Sequence, residues 1–184
     1  MFILGLYATY APRAFLKSRT VLDILEGKNP SLHRIYPHSA FAATTVNLGI
    51  HSISIDHIDV NNSPETMCVL TPVGDFNDEL GGHLILWDLK LAIRFPAGST
   101  ILLPSALLRH GNTSIQPGEK RYCIIQYTAG GLFRWVANDH RTNEAWEAQA
   151  TAAEKADRRK TEEGSWDRII QTFLHIDELP TGHR

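Results

Sequence analysis

Between residues 39 and 128 the apolar side chains come in short runs rich in Val, Ile, Leu, Thr and Tyr: 41–48, 52–58, 67–71, 83–87, 91–95, 100–103, 107–110 and 121–127. Gly, Pro, Asn or Asp separates most of them. Short runs of this composition, punctuated by turn formers, read as strands. Eight of them at regular spacing predict a sandwich or barrel, and a double-sheet jelly roll has that number. The flanks follow another period. In residues 1–38, Phe15, Val21, Leu22 and Leu25 recur at helical spacing, with Gly27 as a stop signal. In residues 129–184, the stretch 144–160 is dense in Ala, Glu, Lys and Arg, which predicts one polar helix. A second helix is expected over 166–175, where Ile169, Ile170 and Phe173 share a face. The expected class is α+β, mainly β: a double-stranded β-helix (jelly roll, 39–128) between an N-terminal helical support (1–38) and C-terminal helices (129–184), in one domain.

Composition narrows the function little. A chain of 184 residues, 43% hydrophobic and 21% charged, suits one soluble domain. A net charge of −2 gives no global basic field toward nucleic acid. Arg13, Lys17 and Arg19 make a small basic cluster that reads as a solvated helix face. Cys68 and Cys123 lie in separate apolar runs with no CxxC spacing, so they read as buried free thiols in a reducing compartment. The opening apolar run stops at Tyr10 with no positive residue before it. That fits neither a secretory signal nor a membrane span, so a nuclear or cytoplasmic protein with no membrane partner is expected.

The chemistry sits in Ser52-Ile-Ser-Ile-Asp-His57-Ile-Asp59. On a strand His57 and Asp59 share a face, and an imidazole and a carboxylate two apart can hold one ion. Two histidines and one carboxylate on one face are the ligand set of non-haem Fe(II) oxygenases. The third ligand must come from elsewhere, and His110 is the candidate: the interval from Asp59 holds about four short strands, enough to carry the chain round and back. A hairpin-like loop then leads to Arg121, whose guanidinium can clamp a carboxylate with two parallel hydrogen bonds.

Taken in order, His57, Asp59, His110 and Arg121 resemble the HxD…H…R signature of the Fe(II)/2-oxoglutarate dioxygenases. The stretch from about Phe41 to Val136 further resembles the TET/JBP branch, especially its fungal relatives. This closer likeness lies in Asn47 of Thr-Thr-Val-Asn-Leu, His57-Ile-Asp59-Val-Asn-Asn62, Gly74-Asp-Phe and Gly81-Gly-His-Leu-Ile-Leu-Trp-Asp-Leu. It continues through Pro96-Ala-Gly98-Ser-Thr, Leu108-Arg-His110-Gly-Asn and Arg121-Tyr-Cys-Ile-Ile-Gln-Tyr. The resemblance implies Fe(II) on His57, Asp59 and His110, 2-oxoglutarate as cosubstrate with its distal carboxylate on Arg121, and Asn62 against a target base. It also implies a DNA or RNA partner carrying a methylated base of the 5-methylcytosine kind. The chain departs from the pattern at Cys123, where a Ser is common, and in having no His after Arg121 until His140.

Other residues read more plainly. Asn61-Asn62-Ser63-Pro64 is turn chemistry, compatible with a substrate role for Asn62. Gly81-Gly82 reads as a bulge or hairpin turn. His83 has Ile, not a carboxylate, two residues on. Arg109 is expected to face solvent, Asp56 and Asp88 to be solvent-facing or capping, and Trp135 to pack in the core. Two rival functions stay open: a dioxygenase hydroxylating a protein side chain or small metabolite, and a non-catalytic jelly-roll binding module. Oligomeric state is not legible.

Overall fold

Seven of the eight apolar runs form strands in this computed structural model, which describes residues 2–34, 36–49 and 52–180. They are β1 (Ala43–Asn47), β2 (Cys68–Asp75), β3 (Leu84–Leu86), β4 (Leu91–Ile93), β5 (Ile101–Leu103), β6 (His110–Asn112) and β7 (Lys120–Tyr127). One antiparallel sheet has the order β1-β7-β2-β5 and the other the order β4-β3-β6. The run at 52–58 is extended but makes only one bridge, His57 with His110, along the free edge of β6. β2 runs on through Pro72, where a strand end was predicted. Its partner β5 reaches only to Leu70, so Pro72 stands where β2 is already an edge on that side.

Alternation along the strands divides the apolar residues between two cores. Leu84 and Leu86 of β3 meet Leu103 of β5, with Phe95 and Leu70, and so close the space between the sheets. Val69, on the other face of β2, packs with Phe41 and the N-terminal helices α1 (Phe2–Tyr10) and α2 (Pro12–Lys28). Tyr7 is fully buried there, stacked on Phe41 with ring centroids 5.3 Å apart. Its hydroxyl accepts a hydrogen bond from the Met67 N–H at 3.0 Å.

The C-terminal region differs from expectation in two ways. An extra helix, α3 (Gly130–Ala137), sets Leu132, Phe133 and Val136 against Val21, Leu22 and Leu25 of α2. Trp135 points away from that seam and is 38% exposed, not core. The single polar helix expected over 144–160 is two, α4 (Asn143–Gln149) and α5 (Ala152–Glu163). Thr151 and Glu154 form a reciprocal capping box at the break. Thr-x-x-Glu satisfies helix-start donors, and here that outweighs the helix-forming composition around it. Helix α6 (Ser165–Thr172) follows. Among the described residues no helix is long and apolar enough to cross a membrane.

Candidate metal centre

His57, Asp59 and His110 come together at one end of the space between the sheets. Their ligand atoms all lie within 4.8 Å of one another, and this is the one such group of His, Cys, Asp and Glu among the described residues. The two imidazole centroids are 4.4 Å apart, and His57 Nε2 is 3.4 Å from Asp59 Oδ1. His110 is buried, while the side chains of His57 and Asp59 are 40% and 30% exposed, so the group opens to solvent on one side.

The backbone sets which nitrogen each ring presents. His57 Nδ1 lies 2.7 Å from the Ile55 carbonyl and His110 Nδ1 lies 2.8 Å from the Leu108 carbonyl. A carbonyl only accepts, so both Nδ1 atoms carry hydrogen and Nε2 is the ring nitrogen each histidine can offer to a cation. Asp59 Oδ2 accepts a 3.1 Å hydrogen bond from Asn62, which leaves Oδ1 toward the histidines. Two imidazole nitrogens and one carboxylate oxygen, each oriented by an outer hydrogen bond, form a donor set that fits a divalent transition metal.

This arrangement rests on a change of register that simple alternation does not foresee. His57 pairs with His110 through both backbone bonds, at 3.0 and 2.9 Å. Two residues along β6, Asn112 N–H donates to the Ser54 carbonyl, not to that of Ile55. One extra residue therefore opposes β6 between Ser54 and His57, a β-bulge. Its effect is visible in the cavity wall, which includes Ser52 and Ser54 as well as His57 and Asp59. Even-numbered and odd-numbered residues of one regular strand would face opposite ways. Asn112 secures the bulge by accepting from the Ser54 N–H at 2.8 Å and donating to the Ser52 carbonyl. Gly111 makes room for it: a β-carbon there would lie 2.8 Å from the Ser54 carbonyl oxygen.

The cavity beside the triad has a volume of about 290 Å³ and is walled by both sheets. Arg121, Cys123, Ile125 and Tyr127 alternate into it from β7. Arg121 is only 3% exposed. It donates to the Ser52 carbonyl at 3.0 Å and lies 5.8 Å from the centroid of the Phe76 ring. Its Nε is buried with no hydrogen-bond partner, and no carboxylate pairs with it among the described residues. Burial pulls its pKa down, yet a guanidinium stays protonated at neutral pH. A buried cation with an orphaned donor is costly unless an anion completes it. Gly82, at φ 70°, lets Phe76 lie there, since a β-carbon would come 2.9 Å from that ring and 3.3 Å from Arg121 Cδ. Burial also pushes up the pKa of the neighbouring Cys123 thiol, against the opposing pull of Arg121.

The structure thus gathers His57, Asp59, His110 and Arg121 around one cavity, with Asn47 and Asn62 also in its wall. Asn62 has both amide hydrogens engaged, on Asp59 and on Ser105 Oγ at 3.3 Å, which leaves its carbonyl oxygen. His83 stands apart from the metal group, with Nδ1 3.4 Å from Thr113 Oγ1. Arg109 faces outward and pairs with Asp56. Sequence reasoning missed Ser105, because nothing local marks one Ser after Pro104 as a neighbour of Asp59. It passed over Phe76 although Gly74-Asp-Phe was singled out.

No protein-family model and no curated protein matches this chain. Among solved structures it is similar to NgTET1 in complex with 5mC DNA, with a TM-score of 0.44 and 17% identity over 68% of this chain and 52% of that one. It is also similar to the viral collagen prolyl hydroxylase vCPH from Paramecium Bursaria Chlorella virus-1 in its 2OG complex. There the TM-score is 0.31 and the identity 15%, over 59% of this chain and 69% of that one. The chain spans about half the length of the NgTET1 structure.

Proposed function

We propose that this protein is an Fe(II)/2-oxoglutarate-dependent dioxygenase on a double-stranded β-helix. The observation that carries the reading is the pairing of an oriented His57–Asp59–His110 donor set with a buried, uncompensated Arg121 in one cavity. The triad alone would also suit a catalytic zinc. Arg121 separates the two, because its position calls for a small acid beside the metal. The strand order supports the fold: the extended 52–57 edge joins β6-β3-β4 as a fourth member opposite β1-β7-β2-β5.

In this reading His57 Nε2, His110 Nε2 and Asp59 Oδ1 would hold Fe(II). Iron and 2-oxoglutarate supply oxygen activation coupled to decarboxylation to succinate and carbon dioxide, with hydroxylation of a substrate C–H. Arg121 receives the distal carboxylate, aided by the Phe76 ring, which holds the guanidinium without neutralising it. The apolar wall of Leu70, Leu84 and Ile125 excludes water from the cosubstrate. The substrate is a methylated nucleobase, of the 5-methylcytosine kind, in DNA or RNA. It enters from the exposed side of His57 and Asp59, with the Asn62 carbonyl oxygen as an acceptor for an exocyclic amine.

A second reading, hydroxylation of a protein side chain or small metabolite, is favoured by the rim. Ile55 and Val60, at 83% and 80% exposure, are the most exposed large hydrophobic residues among the described residues and flank His57 and Asp59 in the chain. Anaerobically loaded protein is expected to bind one Fe(II) and, on exposure to oxygen, to convert 2-oxoglutarate to succinate. Arg121→Met should raise the 2-oxoglutarate requirement steeply while leaving Fe(II) affinity near wild type. Turnover by an Asp59→Ala variant would refute the metal assignment. Mass spectrometry of nucleosides from treated methylated DNA separates the substrates: hydroxymethylcytosine supports the base, and succinate without any oxidised base supports the second reading.

A further inference from the structure

The Asn62 carboxamide is tied into the metal centre in a way that a substrate contact does not need. Its N–H groups run to Asp59 Oδ2 at 3.1 Å and to Ser105 Oγ at 3.3 Å, and its backbone N–H donates to the Asp59 carbonyl at 2.9 Å. Ser105 is 2% exposed, and its own carbonyl accepts the Asp59 N–H at 3.0 Å. Residues 59, 62 and 105 therefore form a closed ring of hydrogen bonds with Asp59 at its centre. Ser105 begins the turn in which the Leu107 and Leu108 N–H groups return to the Pro104 carbonyl. The Leu108 carbonyl ending that turn is the one that accepts His110 Nδ1. One short loop thus orients two of the three ligands, directly at His110 and through Asn62 at Asp59.

Building on the iron reading, we propose that Asn62 and Ser105 are positioning residues that hold Asp59 as a one-oxygen ligand. A carboxylate can bind a metal through one oxygen or both. The amide on Oδ2 occupies the second oxygen and turns Oδ1 toward the histidines. This keeps an open position beside the metal for the small acid that Arg121 awaits. Ser105 acts through Asn62: its hydroxyl accepts one amide hydrogen and so directs the other onto Oδ2.

The test uses Co(II) as a spectroscopic probe in the full chain, with affinity measured by calorimetry well below the unfolding temperature. Asn62→Ala should weaken Co(II) binding about 10- to 100-fold, the usual effect of losing an outer hydrogen bond to a ligand. It should also change the visible d–d spectrum, as Asp59 becomes free to bind through both oxygens. Ser105→Ala should give a smaller loss of the same kind, and Ser105→Thr, which keeps the hydroxyl, should restore wild-type affinity and spectrum. Combining Ser105→Ala with Asn62→Ala should add little to Asn62→Ala alone, because the Ser acts through the Asn. Asn61→Ala, in the same turn but off the ring, should leave affinity and spectrum unchanged. An Asn62→Ala protein with wild-type affinity and spectrum overturns the proposal, as does a full additive loss in the double variant. Failure of the wild-type chain to bind Co(II) or Fe(II) would instead overturn the iron reading itself.

Discussion

Gly111 is the position where one methyl group tests the bulge. Gly111→Ala places a β-carbon 2.8 Å from the Ser54 carbonyl oxygen and 3.3 Å from the Asp56 backbone nitrogen. Both contacts are with backbone, so no flexible side chain can swing away. The bulged segment must retreat, while the paired bonds between His57 and His110 and the two Asn112 bonds hold it in place. Overpacking of this kind costs about 1–3 kcal/mol, and for a chain of this size each kcal/mol lowers the Tm by about 2–4 °C. The Tm of Gly111→Ala, followed by circular dichroism, should thus fall by about 2–12 °C. Co(II) binding should weaken with it, since the residues that retreat carry the Ile55 carbonyl that orients His57. Gly49→Ala is the control, because nothing lies within 4 Å of its added β-carbon. A Gly111→Ala Tm within about 1 °C of the control, with unchanged Co(II) binding, would refute the bulge as the device that sets the site.

The thiols and Tyr7 give two further checks. Burial pushes the Cys68 thiol from 9.0 up to about 12, so the folded chain keeps a proton that the unfolded chain releases. Its contribution to stability is fully present below about pH 9 and lost as pH rises toward 12, a loss that Cys68→Ala should reduce in alkaline unfolding curves. At neutral pH both Cys68 and Cys123 should resist a thiol reagent until denaturant is added, and rapid labelling of the native chain would contradict their burial. Tyr7→Phe removes the acceptor of the Met67 N–H and should cost about 1–3 kcal/mol in urea unfolding. A cost near zero would show that the hydroxyl is not structural.

The candidate site residues were legible because their types and order suggest the chemistry: His57 and Asp59 two apart, His110 after several strands, Arg121 after a hairpin. The reason given for His57 and Asp59 sharing a face was incomplete. They do share one, but on a bulged edge, and alternation alone would have turned Ser52 and Ser54 away from the cavity they line. Bulges have weak local signals; here the sign was Gly111 across from an otherwise regular run. The break between α4 and α5 was legible in Thr151-x-x-Glu154, but the helix-rich composition masked it. Ser105 was beyond reach, since its role comes from a meeting of residues 59, 62 and 105 that only the folded chain arranges.

The bulge also builds slack into the chain beside the site. Upstream of it the cavity takes the even-numbered residues, Ser52 and Ser54, and downstream the odd-numbered ones, His57 and Asp59. Removing one residue at 55 or 56 would keep every candidate ligand in the sequence. If the upstream pairing held, the extra residue would be gone, and regular alternation would still bring Ser52, Ser54, His57 and Asp59 onto one face. A search for relatives of this protein should therefore weigh the Ser-x-Ser before the HxD pair as well as the pair itself, and accept spacings with or without the one extra residue between them.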